Sequence, residues 1–231
     1  MHQGFTDNRK LALSIKVEEL KKSLHYTGVD YRDSDIRLIK DGYVIATISV
    51  NEKDKEQVQG ICYFCTAKLI RAEIYTNGLS YVEYFKTARS KSGLYAKLTR
   101  RTFCNENGSV AYDQIFENEK EWYLFPDGRR RTKPQFMVEF VKSLNLSGED
   151  VVLIDSSVPD EFMHAIFTFG KATRIVAIIH AGGYFMEKKS DETILRRFPY
   201  NWFRYAEMID TMVASTALQK EMLERKLKEY H

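Results

Sequence analysis

No run in this sequence approaches the roughly 20 consecutive apolar residues that a membrane-spanning helix needs. The opening stretch, MHQGFTDNRK, is polar and lacks the apolar core of a secretory leader. Cysteine is scarce as well. The three present, Cys62, Cys65 and Cys104, are too few for a disulfide framework in 231 residues. These features together lead us to expect a cytoplasmic, reduced setting. Charge of one sign is also lacking: 35 basic residues against 32 acidic ones leave a net +3. That near balance provides no broad electrostatic footprint for nucleic acid, so no nucleic-acid partner is expected. There is no G-x-G-x-x-G, no Walker sequence, no G-x-S-x-G and no H-E-x-x-H, and no complete catalytic apparatus can be read by motif.

What the chain has in plenty is aromatic side chains, 14 Tyr, 14 Phe and 2 Trp, within 44% hydrophobic and 29% charged residues. This composition suits a globular protein with a core. The stretch DNRKLALSIKVEELKKSLHY reads as a short strand and then a helix, with Leu20 and Leu24 one turn apart. From about Asp35 to Arg131 the texture is aromatic and β-branched. Asp41-Gly42, Asn77-Gly78, Asn107-Gly108 and Asp127-Gly128 punctuate it. Both dipeptide types tolerate the positive φ of tight hairpins, so this block reads as an antiparallel meander.

Beyond Pro134 the period changes. KPQFMVEFVKSLNL is helical, EDVVLIDSS is a continuous apolar strand, and PDEFMHAIFTF is a helix with Pro159 near its start. RIVAIIH is a second apolar strand. A further helix runs into a short strand, and TALQKEMLERKLKEY closes the chain, with Thr216 and Gln219 spaced as a capping box. Apolar strands alternating with helices imply a parallel sheet covered on both faces. The expected fold is α/β (α+β overall): a partial Rossmann-like parallel sheet with helices plus an inserted antiparallel β-meander domain. The expected domains are an N-terminal strand and helix piece of the α/β part over 1–32, the β-sheet insertion over 33–132, and the Rossmann-like remainder over 133–231.

In open α/β sheets, ligands bind at the carboxyl ends of the strands. Asp155 ends VVLID and His180 ends RIVAIIH, with Gly182 and Gly183 directly after, where backbone can approach a ligand closely. His180 either hydrogen-bonds a polar substrate or caps its strand on a backbone carbonyl. Asp155 is either a ligand-facing carboxylate or the N-cap of the next helix. Glu161 and His164, three residues apart, form a pair with metal-ligand spacing but no further partners, so no metal is expected. Arg129, Arg130, Arg131 and Lys133 are either a contact for an anionic acceptor or a solvated sheet edge. Cys62 and Cys65 form a C-x-x-C in a strand, not at the helix N-terminus that a redox pair wants, and read as structural.

The segments RTFCNENGSVAYDQIF, YLFPDG, FMVEFVKSLNLSGEDVVLIDSS, AIF and VAIIHAGGYF together resemble the N-terminal half of bacterial retaining glycosyltransferases of the GT-B fold. The types in question add N-acetylglucosamine to serine-rich-repeat adhesins or decorate wall teichoic acid. The resemblance runs from about Leu11 to the C-terminus and includes the meander, which looks like that family's inserted sheet domain. It implies that His180, in the family's His-Ala motif, is the catalytic-cleft histidine. It also implies that Asp155, Gly182, Gly183 and Tyr184 line the substrate side. Gly182 and Gly183 replace an acidic residue and a second histidine of the family pattern, while Tyr184 keeps the aromatic.

The donor implied is a UDP-sugar, with no cofactor and no metal. The partners implied are a glycan acceptor (a serine-rich protein or teichoic acid), a second copy or a partner glycosyltransferase subunit docking through 33–132, and the membrane periphery. The resemblance further implies that the nucleotide-sugar domain lies outside this chain, which alone would transfer little or nothing. The competing reading is a non-catalytic assembly module in which His180 is a relic. A third is a small free-standing enzyme pairing His180 with Asp155.

Overall fold

The computed structural model describes residues 15–76, 78–155, 158–170, 173–179 and 205–230. The chain divides into two compact units between Thr132 and Lys133.

The first unit holds an antiparallel sheet whose ten strands follow one another in sequence order. They are β1 (Gly28–Arg32), β2 (Asp35–Lys40), β3 (Tyr43–Val50), β4 (Val58–Cys65), β5 (Lys68–Tyr75), β6 (Leu79–Ser90), β7 (Gly93–Cys104), β8 (Val110–Glu117), β9 (Lys120–Leu124) and β10 (Arg130–Thr132). The Asp-Gly signal between β2 and β3 is realised as expected: Asp41 at φ 50° and Gly42 at φ 80° make a two-residue turn of the primed type. At Asn105–Ser109 and Phe125–Arg129 the loops are longer. Gly108 and Gly128 take φ of 79° and 84°, and each donates its N–H to the carbonyl three residues back.

Two further hairpins carry no glycine. Thr66 and Ala67 sit at φ 48° and 62°, and Asn118 and Glu119 at 49° and 63°. Each such residue costs on the order of 1 kcal/mol, a cost offset by the pairing on either side.

One helix among the described residues belongs to this unit, α1 (Val17–Ser23). Its Val17 and Leu20 pack into the cluster of Leu38, Ile48 and Ile61, all at most 1% exposed. The Lys21 amine donates to Glu18 at 2.8 Å and to the Tyr31 hydroxyl at 3.0 Å, and both bonds hold its pKa up. By sequence, residues 1–32 are assigned to the α/β part. The structure instead places α1 on the sheet and makes β1 its first strand, paired to β2 across Asp33 and Ser34. Val17 and Leu20 find apolar partners there, and β1 finds a ladder.

The second unit contains α2 (Lys133–Ser143), β11 (Val151–Asp155), α3 (Asp160–Phe169), β12 (Arg174–Ile179), a 3-10 turn at Ala206–Met208, β13 (Thr211–Ala214) and α4 (Ala217–Tyr230). The strands are parallel in the order β11-β12-β13. Gly170 ends α3, where any Cβ would lie 2.7 Å from the Ile166 carbonyl oxygen. Ile154, Ile175, Ala177 and Ile179 point to one face, against Val141 of α2, Met163, Ile166 and Phe167 of α3, and Leu223 of α4.

Among the described residues, the opposite face departs from the expectation of a sheet covered on both sides. Val151 is 53% exposed, Leu153 63% and Val213 44%. Parallel strands joined by right-handed crossovers and added in one direction send their helices to a single face as a general rule. The described helices follow that rule.

Candidate functional site at the carboxyl edge of the parallel sheet

Parallel pairing aligns the ends of the three strands of the second unit. Asp155 stands opposite Ile178, and Ile179 opposite Ala214. Asp155 is half-buried, and its carbonyl accepts the Val158 N–H at 3.1 Å. The N-cap position of α3 is Pro159, with no side-chain cap, so Asp155 does not cap that helix. His180, Gly182, Gly183 and Tyr184 lie outside the described residues.

Sequence reasoning passed over the third strand end. Ser215 Oγ donates to the Ile179 carbonyl at 3.1 Å, which ties the end of β13 to the end of β12. Thr216 is the N-cap of α4, its Oγ1 accepting the Gln219 N–H at 3.1 Å. Gln219, 3% exposed, returns its Oε1 to the Ser215 N–H at 2.7 Å. The capping box therefore forms, with its return bond one residue earlier than the usual pattern. The signal for Ser215 was present: a small polar residue directly after an apolar strand and before a helix, the same criterion that singled out Asp155. Beside this edge, a recess of about 640 Å³ is lined by Ile209, Met212, Ala214, Ser215, Thr216 and Leu223 among others. Chemically, the edge carries the Asp155 carboxylate and two hydroxyls, those of Ser215 and Thr216, that hold the strand ends in place.

The other sequence candidates are accounted for separately. Glu161 pairs with Lys133 at 3.7 Å, and His164 Nδ1 lies 2.9 Å from the Tyr205 hydroxyl, so the two side chains are engaged by different groups. The Tyr205 ring also stacks on Phe167 at 4.5 Å. In the basic run, Arg129 pairs with Asp127 at 2.6 Å. Arg130 reaches Glu117 at 3.4 Å and lies 4.0 Å above the Trp122 ring, and Arg131 donates to the Arg130 carbonyl. This run holds a sheet edge together. Burial, then Asp35 and Glu83, pushes the Cys62 thiol up, the reverse of what a reactive thiolate needs.

Among the described residues of the first unit, one carboxylate is buried. Glu73, its side chain 7% exposed, accepts the Tyr63 hydroxyl at 3.1 Å and the Tyr75 hydroxyl at 2.8 Å and pairs with Arg71. A second network links Glu83, Arg101, Gln114, Glu121 and Tyr123. Tyr81, Phe103, Tyr112 and Phe125 run across it as a ladder of rings 4.6–5.8 Å apart. These are the contacts of a self-supporting sheet.

A mixed α/β chain of this kind, with a long antiparallel sheet beside a small parallel one, has known counterparts. Residues 30–127, most of the long sheet, match the GtfA extended beta-sheet domain. Over its whole length the chain is 26% identical to the GtfA subunit of a UDP-N-acetylglucosamine–peptide N-acetylglucosaminyltransferase from Streptococcus agalactiae, covering 45% of that protein. It is 28% identical over 186 residues to the corresponding subunit of Streptococcus gordonii, covering 36%. The chain thus spans less than half the length of these curated relatives.

Among solved structures, a GtfA/B complex superposes with a TM-score of 0.69 at 23% identity, over 97% of this chain and 44% of that one. TarM superposes with 0.54 at 15% identity, over 91% and 42%. At these identities the structures speak for the fold alone. The resemblance to bacterial glycosyltransferases read from the sequence holds.

Proposed function

We propose that this chain is the acceptor-side portion of a bacterial glycosyltransferase. In this reading a sugar, N-acetylglucosamine from a UDP-sugar, passes to a serine-rich surface protein or a teichoic-acid acceptor. The parallel sheet β11–β13 is part of a Rossmann-like domain of a GT-B enzyme, and the ten-stranded sheet is the domain that meets the acceptor. The observation that carries this reading is the whole-chain alignment to GtfA subunits, with the extended sheet matched at 30–127. Asp155 agrees with it by position, since it stands at the carboxyl edge where such sheets take ligands. His180 is proposed as the cleft residue beside the transferred sugar, with Gly182, Gly183 and Tyr184 as neighbours on the substrate side.

A GT-B cleft closes between two domains, so a chain that holds one wall binds acceptor but supplies neither the orientation nor the charge stabilisation for the donor. The test pairs titration of the chain with UDP-N-acetylglucosamine with a transfer assay on a serine-rich peptide. Acceptor binding without turnover is expected. Robust turnover by the isolated chain overturns the reading.

A second reading, a non-catalytic assembly module that docks a second copy or a partner glycosyltransferase subunit through the long sheet, has support in the GtfA/B complex among the matched structures. Light scattering of the chain alone and with a candidate partner subunit separates the two. A monomer that forms no complex removes the second.

A further inference from the structure

The long sheet has one hairpin that outreaches its neighbours. Strand β6 pairs with β5 only through Tyr84, and β7 pairs with β8 only from Arg100 onward. From Phe85↔Leu98 to Ser90↔Gly93, β6 and β7 have only each other. Six residue pairs at about 3.3 Å each give a ribbon that projects about 20 Å.

Its composition departs from the balanced charge of the whole. From Tyr84 to Cys104 there is no acidic residue, while the ribbon carries Lys86, Arg89, Lys91 and Lys97. At the tip, Leu94 is 61% exposed and Tyr95 46%. Lys86 and Lys97 share a shallow recess with Glu117 and Glu119 at the ribbon's base. Arg89 and Lys91 flank the turn itself. Arg100 and Arg101, further in, are spent on Asp113 and Glu83.

We propose that this ribbon docks the protein on an anionic phospholipid bilayer. Leu94 would enter the acyl boundary, Tyr95 would sit at the headgroup level, and the four cations would face the lipid phosphates. The combination selects the occupant. Two exposed apolar side chains are far short of the patch that a stable protein interface buries. A soluble polyanion would gain from the cations but has no use for an exposed leucine. An interface with cations around an apolar and aromatic tip is what a charged bilayer accepts. This surface is independent of the transferase reading, since vesicle binding is measured without donor or acceptor.

The experiment is co-sedimentation of the full chain with vesicles of phosphatidylglycerol and phosphatidylcholine, and of phosphatidylcholine alone. The chain is expected to bind the anionic vesicles at low salt and to leave them at high salt, where screening shortens the reach of each charge. Each cation near an anionic surface contributes about fivefold in partition, so K86Q/R89Q/K91Q/K97Q should lower it by about 600-fold. L94S/Y95S should lower vesicle binding by about tenfold and leave binding to inorganic polyphosphate unchanged. These side chains are exposed, so both variants keep the parent far-UV spectrum. Failure of the parent chain to bind anionic vesicles overturns the proposal. So does an L94S/Y95S variant that binds vesicles as the parent does, which would assign the ribbon to soluble polyanions.

Discussion

Replacing Glu73 is the sharpest way to ask whether the long sheet rests on its polar networks. Three donors converge on this carboxylate: the hydroxyls of Tyr63 and Tyr75 and the guanidinium of Arg71. Hydrogen bonds to a charged acceptor contribute about 1.5–3 kcal/mol each when fully buried. Here the donors differ. The Arg71 side chain is 44% exposed, and solvent screening reduces its share to about 0.5 kcal/mol. The two tyrosines are half-buried and regain water in part, so each keeps about 1 kcal/mol. Glu73→Ala should therefore cost about 2–3 kcal/mol.

Glu73→Gln keeps an acceptor oxygen for one hydroxyl but presents an amide to Arg71, and should cost about half as much. In urea, with a slope of about 2 kcal/mol per molar, the alanine variant should lower the midpoint by about 1 M, read through the fluorescence of Trp122 in β9. Tyr75→Phe in the Glu73→Ala background should then cost less than it does alone, by about 1 kcal/mol of coupling. The reasoning is refuted if the alanine variant shifts the midpoint by less than about 0.3 M, or if the glutamine and alanine variants are indistinguishable.

Two further predictions test the same chain elsewhere. Burial, together with Glu73 for Tyr63 and Tyr75 and with Glu121 for Tyr123, holds these three phenols well above their usual range, and burial pushes Tyr112 up to about 12. A folded pKa above the unfolded one leaves stability whole below about pH 10 and loses it as pH rises through the folded values. Ultraviolet titration of the native protein should therefore show a group of late-ionising tyrosines with unfolding on the same limb, and complete ionisation near pH 10 without unfolding would contradict this. At the other unit, Thr216→Ala should cost about 1 kcal/mol by removing the cap on the Gln219 N–H, while Thr216→Ser should be nearly neutral. Guanidinium denaturation followed by helix signal reads both, and equal losses for Ala and Ser would show that the hydroxyl is not what matters.

How much of this was legible beforehand depends on whether a local residue choice carried the signal. The hairpins at Asp41-Gly42, Gly108 and Gly128 were readable because their φ demands glycine or a residue that tolerates its conformation. Those at Thr66-Ala67 and Asn118-Glu119 hold positive φ with ordinary side chains. Tertiary pairing of long strands imposes that conformation, and no dipeptide announces it. Helix α1 was recognised as a helix, but its partner was not, because an apolar stripe of Val17 and Leu20 says only that something apolar faces it. At the candidate site, the strand-end rule points to Asp155 and passes over Ser215, whose hydroxyl looks like ordinary turn chemistry until the bond to the Ile179 carbonyl is seen.

The two halves of the long sheet are held by different means, and this bears on what the sheet can do. Around β2 to β4, α1 supplies a second layer and the core is aliphatic, with Leu38 and Ile48 fully buried. From β6 onward, cross-strand rings and charged networks take over. Such networks fix geometry, because each polar group is satisfied only in one register. A one-residue slip of β7 against β6 would turn Arg101 away from Glu83 and bring it to the face that Thr102 and Asp113 share. The sheet is thereby kept in register at the very strands that carry the projecting ribbon. A flexible loop could also hold four cations and a leucine, but it would lose more conformational entropy on binding. The ribbon has already been ordered by folding, and that is why a surface this small can serve as a docking element.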